Sequence, residues 1–139
     1  MKCKIKILFL IVIGHGEKDY INKLKGLIMS LGITDKVIFT GWILNNELYK
    51  WFSAADLGVW TSGPIITLRE ATGCSLPILI PDKWSNDESS EGFINKGNGW
   101  SFKTNDFKNL LNRLELLISK NDRLIKSRKN AIEKAKDLD

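Results

Sequence analysis

Short runs of Ile, Val and Leu, bounded by turn residues, alternate with stretches of helical period along most of this 139-residue chain. Residues 7–13 form the first apolar run and read as a buried strand. Residues 18–31 then place Tyr20, Leu24, Leu27, Ile28 and Leu31 on one helical face, with Gly32 as the closing residue. A second strand is predicted at 37–40, a helix at 45–55 with Leu48, Trp51 and Phe52 as its stripe, and a third strand at 57–60. After a small-residue loop come a helix around 66–72 and a fourth strand at 77–80. Residues 82–99 read as a long polar connection interrupted by "GFI", and "GWSF" at 99–102 as a short fifth strand. The end is helical, with Phe107, Leu110, Leu111, Leu114, Leu117 and Ile118 in period, a break at Asn121-Asp122 and a second helix carrying Leu124, Ile125, Arg128, Ala131, Ile132 and Ala135. Strands apolar on both faces that alternate with helices imply a parallel sheet covered on both sides. The expected fold is therefore a doubly wound α/β domain with C-terminal helices.

Length and composition narrow this further. A chain of this size makes a single domain and can bury roughly 68% of its unfolded surface. With 43% hydrophobic and 27% charged residues and five Trp, it is an ordered globular sequence. The net charge of +5 is uneven, because residues 103–139 hold ten Lys/Arg against six Asp/Glu. No aromatic residue follows Phe107 to stack on bases, so the basic end reads as a solvated helix surface and not as a nucleic-acid site. Peripheral contact with an anionic membrane is compatible with the same charges. Cys3 and Cys74 lie far apart, without CxxC spacing or a neighbouring His, which argues against zinc or a disulfide framework and for a reduced, cytoplasmic compartment. The opening "MKCKIKILFLIVIGHG" mimics a secretory signal, but its apolar core is at the minimum length and no small cleavage-site residues follow. Nothing is long enough to span a membrane.

In an open α/β sheet, ligands lie beyond the carboxyl ends of the strands. Two loops compete for that role. The first carries Gly14-His15-Gly16 directly after a strand, as a dinucleotide fingerprint would, but its third glycine position is Asp19. Glu17 and Asp19 suit the following helix's dipole and repel a pyrophosphate. His15 is the only histidine, so no catalytic triad or His-rich metal site can be assembled, and it reads as a turn residue.

The second loop, Thr61-Ser62-Gly63-Pro64, has the opposite character, with nothing acidic between Asp56 and Glu70. Gly63 lets a ligand approach the backbone and Pro64 suits the first turn of a helix. The free N–H groups of Ile65, Ile66 and Thr67 then point outward with the positive end of the dipole, as an anion site requires. Glu70 follows one turn later, among Ala71, Thr72, Gly73 and Cys74, which are small enough to let the helix lie close to the sheet. A carboxylate there can accept hydrogen bonds from paired sugar hydroxyls; the plainer alternative is an ion pair with Arg69 or a nearby Lys.

The order of these pieces, from "LIVIGHGEKDY" through "VIFTGW" and "ADLGVWTS" to "LREATGCSLPILIP", resembles the C-terminal, donor-binding domain of retaining glycosyltransferases of the GT-B fold, the group 1 or family 4 type. The resemblance covers residues 9 to about 118. Its most specific parts are Gly41 after "VIFT", "ADLGVW", and "EATGCSLPI", which echoes the family's Glu-Ala-(small)-(small)-Gly-x-Pro run. It implies one Rossmann-like half of a GT-B enzyme. Such an enzyme transfers a hexose from a nucleotide-diphosphate sugar to a glycan or lipid-linked acceptor, as in polysaccharide or lipopolysaccharide biosynthesis, with no metal or other cofactor. In such enzymes the second glutamate of a Glu-x7-Glu motif, which falls on Glu70, binds the donor ribose. Loop amides hold the diphosphate, and the base is gripped near the turn that here is Gly41, Trp42 and Ile43. The implied donor-binding set is Gly41, Trp42, Ile43, Ser62, Gly63, Pro64, Ile65, Ile66, Thr67 and Glu70, with no catalytic residue assigned.

Two departures from the family stand out. The first glutamate of the pair falls on Ser62. The N-terminal acceptor domain and the cationic pair upstream of the "IVIG" strand have no counterpart, since Lys2, Lys4 and Lys6 do not sit in that motif. Three function classes follow: a donor domain that needs a separate acceptor-binding half for activity, a non-catalytic remnant or interaction module of the same fold, and a dinucleotide-binding Rossmann domain, which Glu17 and Asp19 weaken. The helices of 106–138 serve either as a docking face for a partner half or as an ordinary packed pair.

Overall fold

The computed structural model describes residues 8–62, 65–85, 94 and 97–136. Gly63, Pro64 and most of the 86–96 connection, with Gly92 and Phe93 of "GFI", lie outside the described residues, as do Cys3 and the three N-terminal lysines. The chain falls into two compact units, Met1–Leu48 and Tyr49–Asp139.

The first unit contains β1 (Leu10–Ile13), α1 (Lys18–Ser30), a 3₁₀ turn at Thr34–Lys36, β2 (Val37–Gly41) and a second 3₁₀ turn at Asn45–Glu47. The strands pair in parallel, Leu10 with Val37 through Ile13 with Gly41, and the register slips by one between Val12 and Ile13. Thr40, passed over by the slip, returns its hydroxyl to the carbonyls of Gly41 (3.0 Å) and Val12 (3.3 Å). Helix α1 ends as the sequence predicts. Gly32 takes φ +67°, its N–H reaches the Met29 carbonyl, and that of Ile33 reaches the Ile28 carbonyl, a Schellman closure that spares a side chain the left-handed conformation. The expectation of a buried first strand is corrected. β1 starts at Leu10, bonds to β2 alone, and leaves Leu10 56% exposed. Tyr20, Leu27 and Leu31 of the helical stripe are exposed as well.

The helix expected at 45–55 is divided. Asn45 and Asn46, poor helix formers whose side chains compete with the backbone, hold the 3₁₀ turn, and α2 (Leu48–Ala54) follows with Leu48 and Phe52 buried one turn apart. The second unit then runs through β3 (Gly58–Val59), α3 (Ile65–Gly73), β4 (Ile78–Pro81), α4 (Asp82–Ser85), β5 (Gly99–Phe102), α5 (Phe107–Ser119) and α6 (Asn121–Ala135). Its sheet has the order β3-β4-β5, all parallel. Among the described residues the five strands, all parallel as expected, are hydrogen-bonded as a pair within the first unit and a triplet within the second.

The core of this unit is β4, each of whose four residues is buried. Leu79 meets Phe102 of β5 and Leu117 of α5, with Leu57, Trp100, Leu110, Leu114 and Leu124 packed around them. Ile78 and Ile80 project to the opposite face by strand alternation and are equally enclosed. A Cβ on Gly99 would press against the Ile78 carbonyl oxygen, so β5 can lie this close to β4 only at a glycine. Helix α6 packs on both α3 and α5, and Arg128 donates to the Ala55 carbonyl at the end of α2.

Two local expectations change. Lys120 alone separates α5 from α6, so Asn121 and Asp122 form the first turn of the last helix and not the break. Gly73 is exposed with open space around it, so the close packing of α3 comes from Ala71 and Thr72, which are fully buried. The left-handed residue that ends α3 is Ser75, at φ 61°, with its N–H on the Thr72 carbonyl and that of Leu76 on the Ala71 carbonyl. This is a position for glycine. Ser75→Gly is expected to stabilise the unit by about 0.5–1 kcal/mol, and Leu79→Ala to cost about 3 kcal/mol; urea unfolding followed by circular dichroism measures both.

Candidate functional site

The carboxyl ends of β1 and β2 are adjacent and turn outward together. Gly14, at φ +123°, donates its N–H to the carbonyl of Gly41 (3.0 Å), itself at φ +67°, so the two glycines tie the loops at their roots. One residue further on in each loop, the rings of His15 and Trp42 meet edge to face, with centroids 5.2 Å apart and planes at 65°. Such a pair is worth about 0.5–1.5 kcal/mol beyond the area it buries. Trp42 is nevertheless 69% exposed, whereas Ile43 is half-buried. His15, read from the sequence as a turn residue, is therefore a partner of the predicted Gly41–Trp42–Ile43 turn. The signal that could have found it is the matched position of the two loops after neighbouring strands.

In the second unit, the predicted anion loop leaves β3 and enters α3 at Ile65. The first-turn N–H groups of Ile65, Ile66 and Thr67 have no intrahelical acceptor, and no acidic residue lies in that turn. Trp60 fixes the geometry: its N–H still bonds the Leu79 carbonyl (3.0 Å), its indole Nε1 donates to Thr67 Oγ1 (3.1 Å), and its ring tilts against Phe52. The sequence reading counted Trp60 only as strand. Ser62 and Ile66 are exposed, and Glu70 is half-buried one turn into the helix. Among the described residues no hydrogen bond or ion pair engages the Glu70 carboxylate. Gly41, Trp42 and Ile43 belong to the first unit, and Ser62, Ile65, Ile66, Thr67 and Glu70 to the second.

The carboxyl ends of β4 and β5 are joined by a contact that the sequence did not reveal. Asp82 Oδ1 accepts the hydroxyl of Thr104 (2.5 Å), the N–H of Thr104 (3.0 Å) and the N–H of Lys83 (2.9 Å). The Thr104 hydroxyl, then the backbone N–H groups, hold the carboxyl below its usual range. A cavity of about 330 Å³ elsewhere, lined by Lys25, Ile28, Met29, Thr34, Val37 and Phe39, holds none of the predicted residues. Among the described residues no group of three His, Cys, Asp or Glu is placed to hold a metal ion, and no helix is long and apolar enough to cross a membrane.

Parallel strands with loops gathered at their carboxyl ends are the design of the Rossmann-like domains of GT-B glycosyltransferases, and solved structures of that class share the fold. Anabaena HepE in complex with UDP aligns with a TM-score of 0.71 at 22% identity, over 92% of this chain and 36% of that one. Sucrose-phosphate synthase from Thermosynechococcus elongatus gives 0.71 at 20%, over 93% and 34%. The C-terminal domain of a glycosyl transferase group 1 family protein, LpcC, from Francisella tularensis gives 0.73 at 20%, over 90% and 66%. The chain belongs to the glycosyl transferases group 1, whose sequence profile matches residues 3–138. It spans about a third of the first two of these proteins and 66% of the isolated domain. No curated protein gives a significant sequence match.

The Asp82 contact carries a prediction. Its folded carboxyl titrates below the ordinary 3.8, so the stability it contributes is complete above that value and fades as pH falls through the lower folded one. Asp82→Asn is expected to be less stable than wild type at pH 7, with the gap closing as the pH is lowered past 3.8; urea midpoints across the pH series measure it.

Proposed function

We propose that this chain is the donor-binding, C-terminal part of a retaining glycosyltransferase of the family 4 type. It takes a hexose from a nucleotide-diphosphate sugar and serves a glycan or lipid-linked acceptor bound by an N-terminal half, in the cytoplasm or at the inner face of the membrane. Membership of the group 1 family supports this reading, as does the fold it shares with Anabaena HepE, which has been solved with UDP and with UDP-glucose. The observation that carries it is the half-buried Glu70 carboxylate, unpaired among the described residues, one turn above the acid-free N-terminus of α3.

In this reading the N–H groups of Ile65, Ile66 and Thr67, with the loop of Ser62, Gly63 and Pro64, hold the diphosphate. The same groups stabilise the charge that grows on it as the sugar leaves. Glu70 accepts hydrogen bonds from the ribose hydroxyls, and the turn of Gly41, Trp42 and Ile43 receives the base. No metal or other cofactor takes part in this reading. Ser62, standing where the family's first glutamate falls, supports a second reading, a binding module without transfer chemistry.

Ligand-observed NMR of the full chain against UDP-, GDP- and ADP-sugars, with NAD as control, tests the proposal. One sugar nucleotide is expected to bind and NAD is not, and Glu70→Ala is expected to weaken that binding at least tenfold, the loss of hydrogen bonds to a charged acceptor. Binding that survives the substitution unchanged would refute the assignment of Glu70. Transfer on addition of an acceptor-binding half separates the enzyme from the module.

A further inference from the structure

One residue ties the helix that bears Glu70 to the enclosed strand of the same unit, and it has no part in the ligand contacts proposed above. Trp60 donates its backbone N–H to the Leu79 carbonyl of β4 (3.0 Å) and its indole Nε1–H to Thr67 Oγ1 in the first turn of α3 (3.1 Å). The ring that joins these two bonds has a seat of its own. A Cβ on Gly58 would press against Cζ3 and Cη2 of the indole and against a Leu76 methyl, so the ring lies where any other residue at 58 would put its side chain. Phe52, itself buried, tilts against the indole at 48°, with centroids 6.3 Å apart.

Packing on Gly58 and Phe52 uses only the hydrocarbon part of the ring, which a phenylalanine also supplies. The indole N–H adds direction, because it fixes one point of α3 relative to β4. The first turn is where a helix has the fewest bonds of its own, so a donor rooted in a locked strand braces the end that most needs it. Glu70 follows Thr67 by three residues and lies on the same face of α3. We infer that Trp60 is a positioning residue: through Thr67 it holds α3 where the Glu70 carboxylate meets the ribose hydroxyls of the donor. This inference rests on the donor reading of the preceding section, and every residue in it belongs to the second unit.

The preference for ribose over deoxyribose reports on that position. The full chain is titrated with UDP, GDP and ADP by ligand-observed NMR, and the nucleotide that binds is compared with its 2′-deoxy counterpart; urea unfolding is recorded for each variant. The wild type is expected to favour the ribonucleotide about tenfold, the worth of a hydrogen bond to a charged acceptor. Trp60→Phe, which keeps a ring and removes the N–H, should narrow that preference to about twofold as the bond to ribose loses its geometry. Thr67→Val should narrow it likewise, whereas Thr67→Ser, which keeps the acceptor oxygen, should retain the wild-type ratio. The two substitutions Trp60→Phe and Thr67→Val together should narrow it no further than either alone. A loss of stability by itself weakens both ligands alike and leaves the ratio in place, so the ratio separates positioning from packing.

An unchanged ratio in Trp60→Phe, or in Thr67→Val where the first variant does not fold, would overturn the inference while the donor reading stood. A wild type that binds the ribonucleotide and its deoxy counterpart equally would refute the contact between Glu70 and ribose, and the inference with it. Failure of all three nucleotides to bind would defeat the donor reading itself and leave Trp60 nothing to position.

Discussion

Everything in the larger unit takes its position from β4. Its residues are enclosed on both faces, by Leu79 against Phe102 and Leu117 on one side and by Ile78 and Ile80 on the other, and it is hydrogen-bonded along both edges. A one-residue slip would exchange those faces and drive the Ile78 carbonyl away from the only residue, Gly99, that can lie against it. The strand is therefore locked, and what leaves the carboxyl ends of the sheet is locked with it. Trp60 departs beside Leu79 and reaches α3 through Thr67, while Asp82 departs from β4 itself and reaches Thr104 beyond β5.

The loops at the ends of β1 and β3 differ in charge because they begin different helices. Asp19 sits in the first turn of α1 and satisfies that helix's dipole from within, so nothing is left for an outside anion. The first turn of α3 holds no acidic residue. An ordinary stabilising device, present in one helix and absent from the other, is what distinguishes the two strand ends electrostatically.

Much of this was legible in the chain, for reasons that can be named. β5 was read to the residue because Asn98 and Lys103-Thr104 bracket four residues of strand character, and α5 was legible as a helix from its apolar period, its start fixed in the structure by Asp106, which accepts the Asn109 N–H. β3 was not, since its two residues are ended by pairing geometry: Trp60 keeps a strand hydrogen bond while its side chain turns to Thr67. Ser75 hid the end of α3, because a serine at a left-handed position carries none of glycine's signal. Of the candidate site, the α3 half was visible as composition. The His15–Trp42 contact was not, because the two residues are distant in the chain and only the parallel pairing of their strands brings them together.

Among the described residues β1 pairs with β2 alone and carries no polar side chain to discourage a second neighbour, the arrangement that edge strands in natural sheets are usually shaped to avoid. Any extended segment that pairs there binds the folded unit and not the unfolded chain, so it stabilises that unit by mass action.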